Sequence, residues 1–515
     1  MNIQQITKWK LAILTGVLVG LSYPPLHLGF LVWIGFIPLI HVLLNSKVSS
    51  AAKYGFLSSI TANFISLYWI GFNSGAGFWV VFASLVAAVL YLGVFWAGMS
   101  ALLTRFHLKT GKGIILIPFL WVAMEWLRSM GSLGFPWITL ALTQTQFLPL
   151  IQLAEITGTY GVSFWIMMLN IGGYLTLTSK QRMKPAILTI GLFGIIWFSG
   201  VLRISDFDVK QNEKDFTVSV VQPNIDPNEK WEREHRLETF STMHSLLDTA
   251  LIDTPNLVLW PETALPAYLR LSWTARKPLL KRLKLYDVPL LSGTMDVKRD
   301  SIGERRYYNA SILLNPDGTH KMYYKVQLVP FAEYIPLSGQ FPYLKKLNFG
   351  QGNFNHGDEF TVFEVDSVFF SNVICYESSL PQLVRKFVKK GARLMTIQAN
   401  DGWLGNTSGP YQHFELARLR AVENRVPVIR SANTGISGII LSSGRVKNKI
   451  PVYGRTVITE TIFIPEDPSY YAVNGDKFAM LSMIISLLMM GIFPITDRLS
   501  KEQTLTHSRN DIQRS

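Results

Sequence analysis

Hydrophobic and polar positions divide this chain into two regimes. Across residues 1–203 long uncharged blocks follow one another, and those at about 9–24, 28–45, 54–72, 77–103, 113–130, 158–178 and 185–204 each approach the ~20 residues that cross a hydrocarbon core. An eighth block, 477–495, precedes a polar tail over 496–515. Between them the pattern shortens. A strand-like run at Phe216–Asn224 follows a polar linker, Ile204–Asp215, and a helical stretch at 231–253 keeps Leu237, Phe240, Met243, Leu246 and Leu247 at helix-like spacing. Helices at 276–286, 380–390 and 410–425 then alternate with strands at 256–260, 288–294, 307–314, 319–326, 361–366, 367–374, 393–399, 427–433 and 436–442. Apolar strands alternating with helices predict a sheet covered by helices. The predicted organisation is a bundle of seven transmembrane helices over 1–203, an α/β domain over 204–476, an eighth transmembrane helix over 477–495 and a tail over 496–515.

Composition agrees with a membrane protein: 49% hydrophobic and 16% charged residues, with a mean hydropathy of +0.23. The net charge of +14 could suggest a nucleic-acid partner, but its placement argues for topology instead. Lys8 and Lys10 precede the first block, Lys47 and Lys53 separate the second from the third, and Arg105, Lys109 and Lys112 the fourth from the fifth. Lys180, Arg182 and Lys184 precede the seventh, whereas the loop at 73–76 carries no charge. The positive-inside rule makes the N-terminus and the basic loops cytoplasmic, which puts residues 204–476 on the opposite side and the tail inside. No cleavable signal peptide is expected, because the first block lacks a small-residue cleavage site. Glu125, Arg128 and Glu155 stand out among apolar neighbours. Glu125 and Arg128, three apart, read as a structural pair on one helical face. Gly134–Trp137 reads as an interfacial turn with Trp137 at headgroup depth. No repeat relates two halves of the bundle, so a transporter core is not indicated.

Candidate chemistry centres on Cys375, the only cysteine. An intrachain disulfide is therefore impossible. Cys375 ends the apolar run 367–374, beside a turn and a helix start marked by Ser378, Ser379 and Pro381. Alone, such a thiol reads first as an inert core atom. Two further polar residues fall at comparable places: Glu262 after Leu257–Trp260, and Lys325 after Lys321–Tyr324. By residue type, Glu262 could cap a helix and Lys325 could sit on the surface. Together they suit one chemistry. A thiol needs a base or cation to become a thiolate, and acyl transfer needs positive charge where the oxyanion develops. Glu262 would be the base, Lys325 the oxyanion and thiolate partner, and Cys375 the nucleophile.

Trp260-Pro261-Glu262, Lys325 with Leu328–Pro336, and Cys375-Tyr376-Glu377 resemble the three catalytic motifs of the carbon-nitrogen hydrolase (nitrilase) superfamily. Asn400–Gly405, Gln412-His413, Arg420–Arg425 and Asn433–Ser437 resemble the rest of that domain, and Gly134–Trp137 and Gly158–Ser163 resemble the membrane region of its apolipoprotein N-acyltransferase branch. Ala332 departs from the pattern, standing where that family more often has glycine. The resemblance implies an αββα sandwich with a Glu262-Lys325-Cys375 triad, Glu333 holding Lys325 or the acyl intermediate, the backbone N–H of Tyr376 joining the oxyanion site, and Glu377 in support. It implies a two-step reaction in which Cys375 takes the sn-1 acyl chain of a phospholipid, commonly phosphatidylethanolamine, and passes it to the α-amine of a diacylglyceryl-modified N-terminal cysteine of an apolipoprotein. It implies no metal or organic cofactor, a monomer, and a multi-pass protein of the bacterial inner membrane with its catalytic domain on the periplasmic side.

Residues 337–356 combine Phe341, Tyr343 and Phe349 with Lys345, Lys346, Gly339 and Gly350, too apolar for an ordinary solvated loop. With Ala267–Trp273 they are expected to form lids over a site open to the bilayer, with Trp231 lining the opening. Phe341, Tyr343, Phe349 and Trp231 are thus candidate substrate-binding residues. A membrane-tethered amidase would share the triad but send water to the thioester. A cysteine protease would need a His partner, and His320, His356 and His413 lie in no convincing motif. Zinc is not indicated, with no second Cys and no close His pair in the domain. A membrane receptor or transporter predicts that Cys375→Ala is harmless.

Overall fold

The computed structural model describes residues 7–209, 215–335 and 354–492. The alternating pattern folds into strands β1 (Asp215–Gln222), β2 (Leu257–Leu259), β3 (Leu290–Arg299), β4 (Arg305–Leu314), β5 (His320–Tyr324), β6 (Phe363–Val365), β7 (Val368–Ile374), β8 (Leu394–Ala399), β9 (Val428–Ala432), β10 (Ser437–Ile440), β11 (Val446–Ile450) and β12 (Thr456–Phe463). They form two six-stranded sheets, ordered β12-β1-β2-β3-β4-β5 and β11-β10-β9-β8-β7-β6. In each, three neighbours run parallel, β1-β2-β3 and β7-β8-β9. Parallel strands carry their C-terminal ends to one edge, and β5, antiparallel to β4, which is antiparallel to β3, ends there too. That edge receives Glu262 and Lys325 from one sheet and Cys375 from the other.

The sheets stack through apolar inner faces, with Val220, Leu259 and Leu291 on one side and Val373, Ile397 and Ile429 on the other. A polar seam joins them: Asn372 Nδ2 donates to Ser311 Oγ at 2.7 Å and Gln398 Nε2 to the Trp260 carbonyl at 2.8 Å. Helices Arg233–Leu251 and Trp273–Tyr286 cover the first sheet, burying Met243, Leu247, Leu279 and Leu283. Pro381–Lys389 and Ser408–Asn424 cover the second with Val384, Phe387, Phe414 and Ala417. The result is an αββα sandwich.

The N-terminal region is helical, and among the described residues four helices are long and apolar enough to cross a membrane: Val48–Phe72, Phe78–Thr110, Thr159–Thr178 and Met183–Phe207. The other predicted spans are shorter. The first is 14 residues, Lys8–Leu21, stopping before Pro24 and Pro25. The block at 28–45 breaks into Gly29–Leu31, Val32–Gly35 and Ile37–Leu44, the last starting at a proline turn. Gly113–Arg128 carries Pro118 within its 16 residues, and the described part of the last block is Lys477–Ile492. The helix beginning at Met183 runs to Val209, into the stretch expected to be a linker.

Polar residues of this region also find other partners than the sequence suggested. Glu125 accepts from Trp121 Nε1 (3.1 Å) and from the backbone N–H of Leu140 (3.0 Å), while Arg128 donates to the Ile138 carbonyl. Their helical spacing aims both at the segment after the helix, not at a private pair. Trp137 is buried instead of lying at an exposed interface. Its indole donates to Gln412 Oε1 at 3.0 Å because the α/β domain covers it. Glu155 pairs with Arg203 at 2.8 Å and with Arg425 of the domain at 2.7 Å.

Gln412, in the helix Ser408–Asn424, fastens the domain to the bundle. Its Oε1 accepts from Trp69 Nε1 (3.1 Å) and Trp137 Nε1 (3.0 Å), and its Nε2 donates to the carbonyls of Ser66 (2.9 Å) and Pro24 (3.3 Å). Gln412→Leu keeps the volume but strands two indole N–H groups, each costing about 1–3 kcal/mol when left unsatisfied in a buried site. The purified variant is expected to unfold at a clearly lower temperature than the wild type in the same detergent, and an unchanged midpoint would show that these bonds add nothing to docking.

Candidate active site

Buried β7 delivers Cys375 with φ at 52°, in the left-handed region that a residue with a Cβ enters only at a cost. Hydrogen bonds hold it there. Ser378 Oγ donates to the Cys375 carbonyl at 2.8 Å within the short 3₁₀ turn Cys375–Ser379. The Glu377 carboxylate accepts from the backbone N–H of Ile374 (2.7 Å), Val326 (2.7 Å) and Gln327 (2.9 Å), and from Tyr323 OH (2.8 Å). It therefore buckles the cysteine turn to the loop after Lys325. Burial pushes Glu377 up to about 7, opposed by Lys325 and by the Gln327 and Ile374 N–H groups.

Glu262 reaches the same edge because Pro261, lacking an N–H, closes β2. Gly293 on β3 lets that loop lie close: a Cβ there would come within 2.6 Å of Glu262 Cα. Glu262 is buried, and Asn309 Nδ2 donates to its Oε1 at 2.7 Å. Lys325, 1% exposed, places Nζ 3.8 Å from Glu262 Oε1 and donates to Glu333 Oε1 at 2.9 Å. Glu333 is itself fixed by Asn309 Nδ2 (3.1 Å) and the Val329 N–H (2.8 Å). Burial works against the Lys325 ammonium, yet Glu333 and Glu262 outweigh it and hold its pKa above the ordinary lysine value. Burial pushes the Glu262 carboxyl above the ordinary carboxylate range, with Lys325 pulling it down and Glu333 adding to the rise. Burial also holds the Cys375 thiol well above its usual value, reinforced by Glu262 and opposed by Lys325.

The structure thus brings Glu262, Lys325, Glu333, Cys375 and Glu377 into one electrostatic neighbourhood. Tyr376 points the other way, its hydroxyl donating to the Gly134 carbonyl at 2.9 Å. Trp231 is exposed in the turn before the helix Arg233–Leu251. Phe341, Tyr343 and Phe349 lie outside the described residues. Ala267 and Leu269 of the other expected lid are buried in the domain's own core, whereas Leu271 and Trp273 are exposed.

Two roles escaped the sequence reading, that of Asn309 and that of His413, which was named there without one. Asn309 bridges both glutamates from mid-β4, where an amide between Tyr308 and Ala310 in an otherwise apolar-leaning strand was the available signal. His413 is buried beneath the nucleophile. Its Nε2 lies 3.1 Å from the Cys375 carbonyl oxygen and 2.9 Å from Ser378 Oγ, and its Nδ1 lies 2.8 Å from Asp401 Oδ1. Arg430 Nη2 donates to Asp401 Oδ2 at 2.5 Å. Burial would raise Asp401, but Arg430 and His413 bring it to about 2; burial and Arg430 lower His413. Cys375, Asp401 and His413 offer sulfur, oxygen and nitrogen atoms within 4.8 Å of one another, a set that could in principle hold a metal ion. Asp401 is already neutralised by Arg430 and both ring nitrogens of His413 are engaged, so the donor set fits a clamp on the nucleophile better than a metal centre.

Such an arrangement suits nucleophilic acyl substitution: a carboxylate close to a thiol, and a fixed cation buried from solvent. Comparisons with known proteins agree. Residues 15–172 match the family described as apolipoprotein N-acyltransferase N-terminal domain, and residues 217–464 match carbon-nitrogen hydrolase. Curated relatives named apolipoprotein N-acyltransferase include one from Geobacter metallireducens, 34% identical and covering 92% of both chains, and one from Chlorobaculum tepidum, 31% identical over 90% of this chain and 92% of its own. A crystal structure of a Saccharomyces cerevisiae member of the nitrilase superfamily aligns over 49% of this chain and 91% of its own, at 19% identity and a TM-score of 0.38.

Because Asn309 favours the ionised form of Glu262, Asn309→Ala is expected to raise the Glu262 pKa. A base works only when deprotonated, so the acid limb of Cys375 alkylation by a haloacetamide moves to higher pH in the variant. Superimposable profiles would remove Asn309 from the site.

Proposed function

The chain belongs to the apolipoprotein N-acyltransferase family, and on that ground we propose that Glu262, Lys325 and Cys375 transfer an acyl chain through a cysteine thioester. The observation that carries this reading is the buried Lys325 ammonium, shared between two carboxylates beside the only thiol. In the first half-reaction Glu262 takes the thiol proton as Cys375 Sγ attacks the sn-1 ester carbonyl of a phospholipid, phosphatidylethanolamine being the expected donor. Lys325, with the Tyr376 N–H, stabilises the oxyanion. As the tetrahedral intermediate collapses, Glu262 returns the proton to the departing alkoxide, leaving a lysophospholipid and the thioester.

In the second half-reaction the α-amine of a diacylglyceryl-modified N-terminal cysteine attacks the thioester. Glu262 accepts the proton the amine loses and passes it to the leaving thiolate, restoring the thiol and releasing an N-acylated lipoprotein. Both substrates live in the bilayer. The helical region suits them: it brings the α/β domain against apolar helices, with Tyr376, next to the nucleophile, bonded to Gly134 of the membrane region. The basic loops favour eight spans with the domain on the face opposite the cytoplasm, and membership of the family favours the bacterial inner membrane, with the domain periplasmic and the chain a monomer.

Intact-protein mass spectrometry before and after incubation with phosphatidylethanolamine tests this reading. An added acyl mass is expected on the wild type, released by hydroxylamine or by a diacylated lipopeptide with a free amine, and absent from Cys375→Ala. An adduct cleared by water as fast as by lipopeptide would indicate an amidase-like hydrolase, and no adduct with intact lipid would reject the donor class.

A further inference from the structure

Glu262 and Glu333 are both buried, and both face one ammonium, that of Lys325. Two buried carboxylates against a single cation leave negative charge uncompensated, which a desolvated site tolerates poorly. A second buried lysine stands behind them. Lys230, 3% exposed, donates from Nζ to the Thr263 carbonyl at 2.8 Å and to Thr263 Oγ1 at 2.9 Å. Thr263 directly follows Glu262 and has φ at 43°, a second left-handed residue at the catalytic edge.

The loop that carries Lys230 is held by residues that follow β9 and precede β12. Asn433, after β9, accepts the Asn224 N–H at its carbonyl (2.8 Å) and donates from Nδ2 to the Ile225 carbonyl (2.6 Å), while Arg455 Nε donates to the Pro223 carbonyl (2.8 Å). A lysine delivered by a braced loop onto the backbone of the next loop is not an ordinary solvated side chain.

We propose that Lys230 is a positioning residue for Glu262, fastening the turn that presents the carboxylate and supplying the second positive charge that lets it ionise. This rests on the reading of Glu262 as the base. The charged and titratable groups that face Glu262 are Lys325 after β5, Glu333 in the following loop, Cys375 after β7 and Lys230 after β1. Of these four groups the two lysines favour its ionised form, as does the neutral Asn309 amide. Burial lowers the Lys230 ammonium to about 8, so its charge is present at neutral pH and fades above that value.

The test is the rate of Cys375 thioester formation from phosphatidylethanolamine, measured on the full chain in detergent across roughly pH 5 to 9, for the wild type, Lys230→Gln and Lys230→Arg. Lys230→Gln can still donate to Thr263 but lacks the charge. Its Glu262 pKa rises, so it is expected to be about tenfold slower or worse at the acid end, with its acid limb at higher pH and its rate approaching wild type above about pH 8. Lys230→Arg keeps the charge and should keep the limb. A rate lowered equally at every pH would mean a merely structural lysine, and an unchanged profile would leave it no role; either outcome overturns the inference. If Lys230→Gln does not fold, Thr263→Ala, which drops one acceptor and leaves the charge, should slow the reaction with the limb unmoved, and an unimpaired rate would overturn the positioning role. A wild type that forms no thioester overturns instead the reading of the base.

Discussion

Desolvation of one ammonium organises this site. Lys325 has almost no contact with solvent, and an unpaired cation in that position would cost several kcal/mol. The chain compensates by folding the loop after β5 back on itself, so that Glu333, eight residues on, accepts from Nζ, while its other oxygen accepts the Val329 N–H. Each compensation creates another need. Glu333 and Glu262 repel one another, and Lys325 together with the Asn309 amide that donates to both offsets part of that repulsion. Charge pairing fixes the cation, so that in the proposed mechanism, where an oxyanion develops beside it, the energy spent in burying it is not spent again during reaction.

A second constraint is the backbone of Cys375. A left-handed cysteine persists only if its surroundings over-determine it, and two separate elements do so. Glu377 ties the turn to the lysine loop, and His413, backed by Asp401 and Arg430, sits against the Cys375 carbonyl. Adjacent residues on a helix point about 100° apart, and the helix Ser408–Asn424 uses this. Gln412 engages four groups of the bundle and His413 engages the nucleophile. Cys375 and Tyr376 repeat the pattern, one in the site and the next bonded to Gly134. Domain docking and nucleophile geometry therefore depend on the same two turns of chain.

What the sequence disclosed follows from this arrangement. Glu262, Lys325 and Cys375 were legible because each ends a strand with its own apolar signature, and parallel strands must end at one edge. Their supports were not. Asn309, His413 and Lys230 owe their roles to contacts across 47, 38 and 33 positions, and no local periodicity encodes such pairings. In the membrane region the apolar blocks were visible, but their breaks were less so: the block at 28–45 is three short helical pieces, and the stretch around Leu140–Gln144 is a buried 3₁₀ segment with no helical period to announce it. Trp137 looked interfacial for the same reason. Its partner, Gln412, lies 275 positions away.

The raised Glu262 pKa fits its proposed role as a base that acts twice. A free cysteine thiol ionises near 8.5 and an α-ammonium near 8, whereas an ordinary glutamate ionises near 4.3. Proton transfer from either donor to such a glutamate is uphill by several pK units, and the penalty shrinks as the carboxyl is pushed upward. Burial does the pushing, while Lys325 limits it so that the carboxylate is still available. The same burial raises the thiol, so that in the proposed mechanism Cys375 stays protonated until an acyl donor is in place and Glu262 takes the proton as the sulfur–carbon bond forms. In the proposed mechanism one desolvated pocket thus raises the base toward the amine of the second half-reaction, while the thiol, raised with it, gives up its proton only as the forming bond and Lys325 stabilise the sulfur.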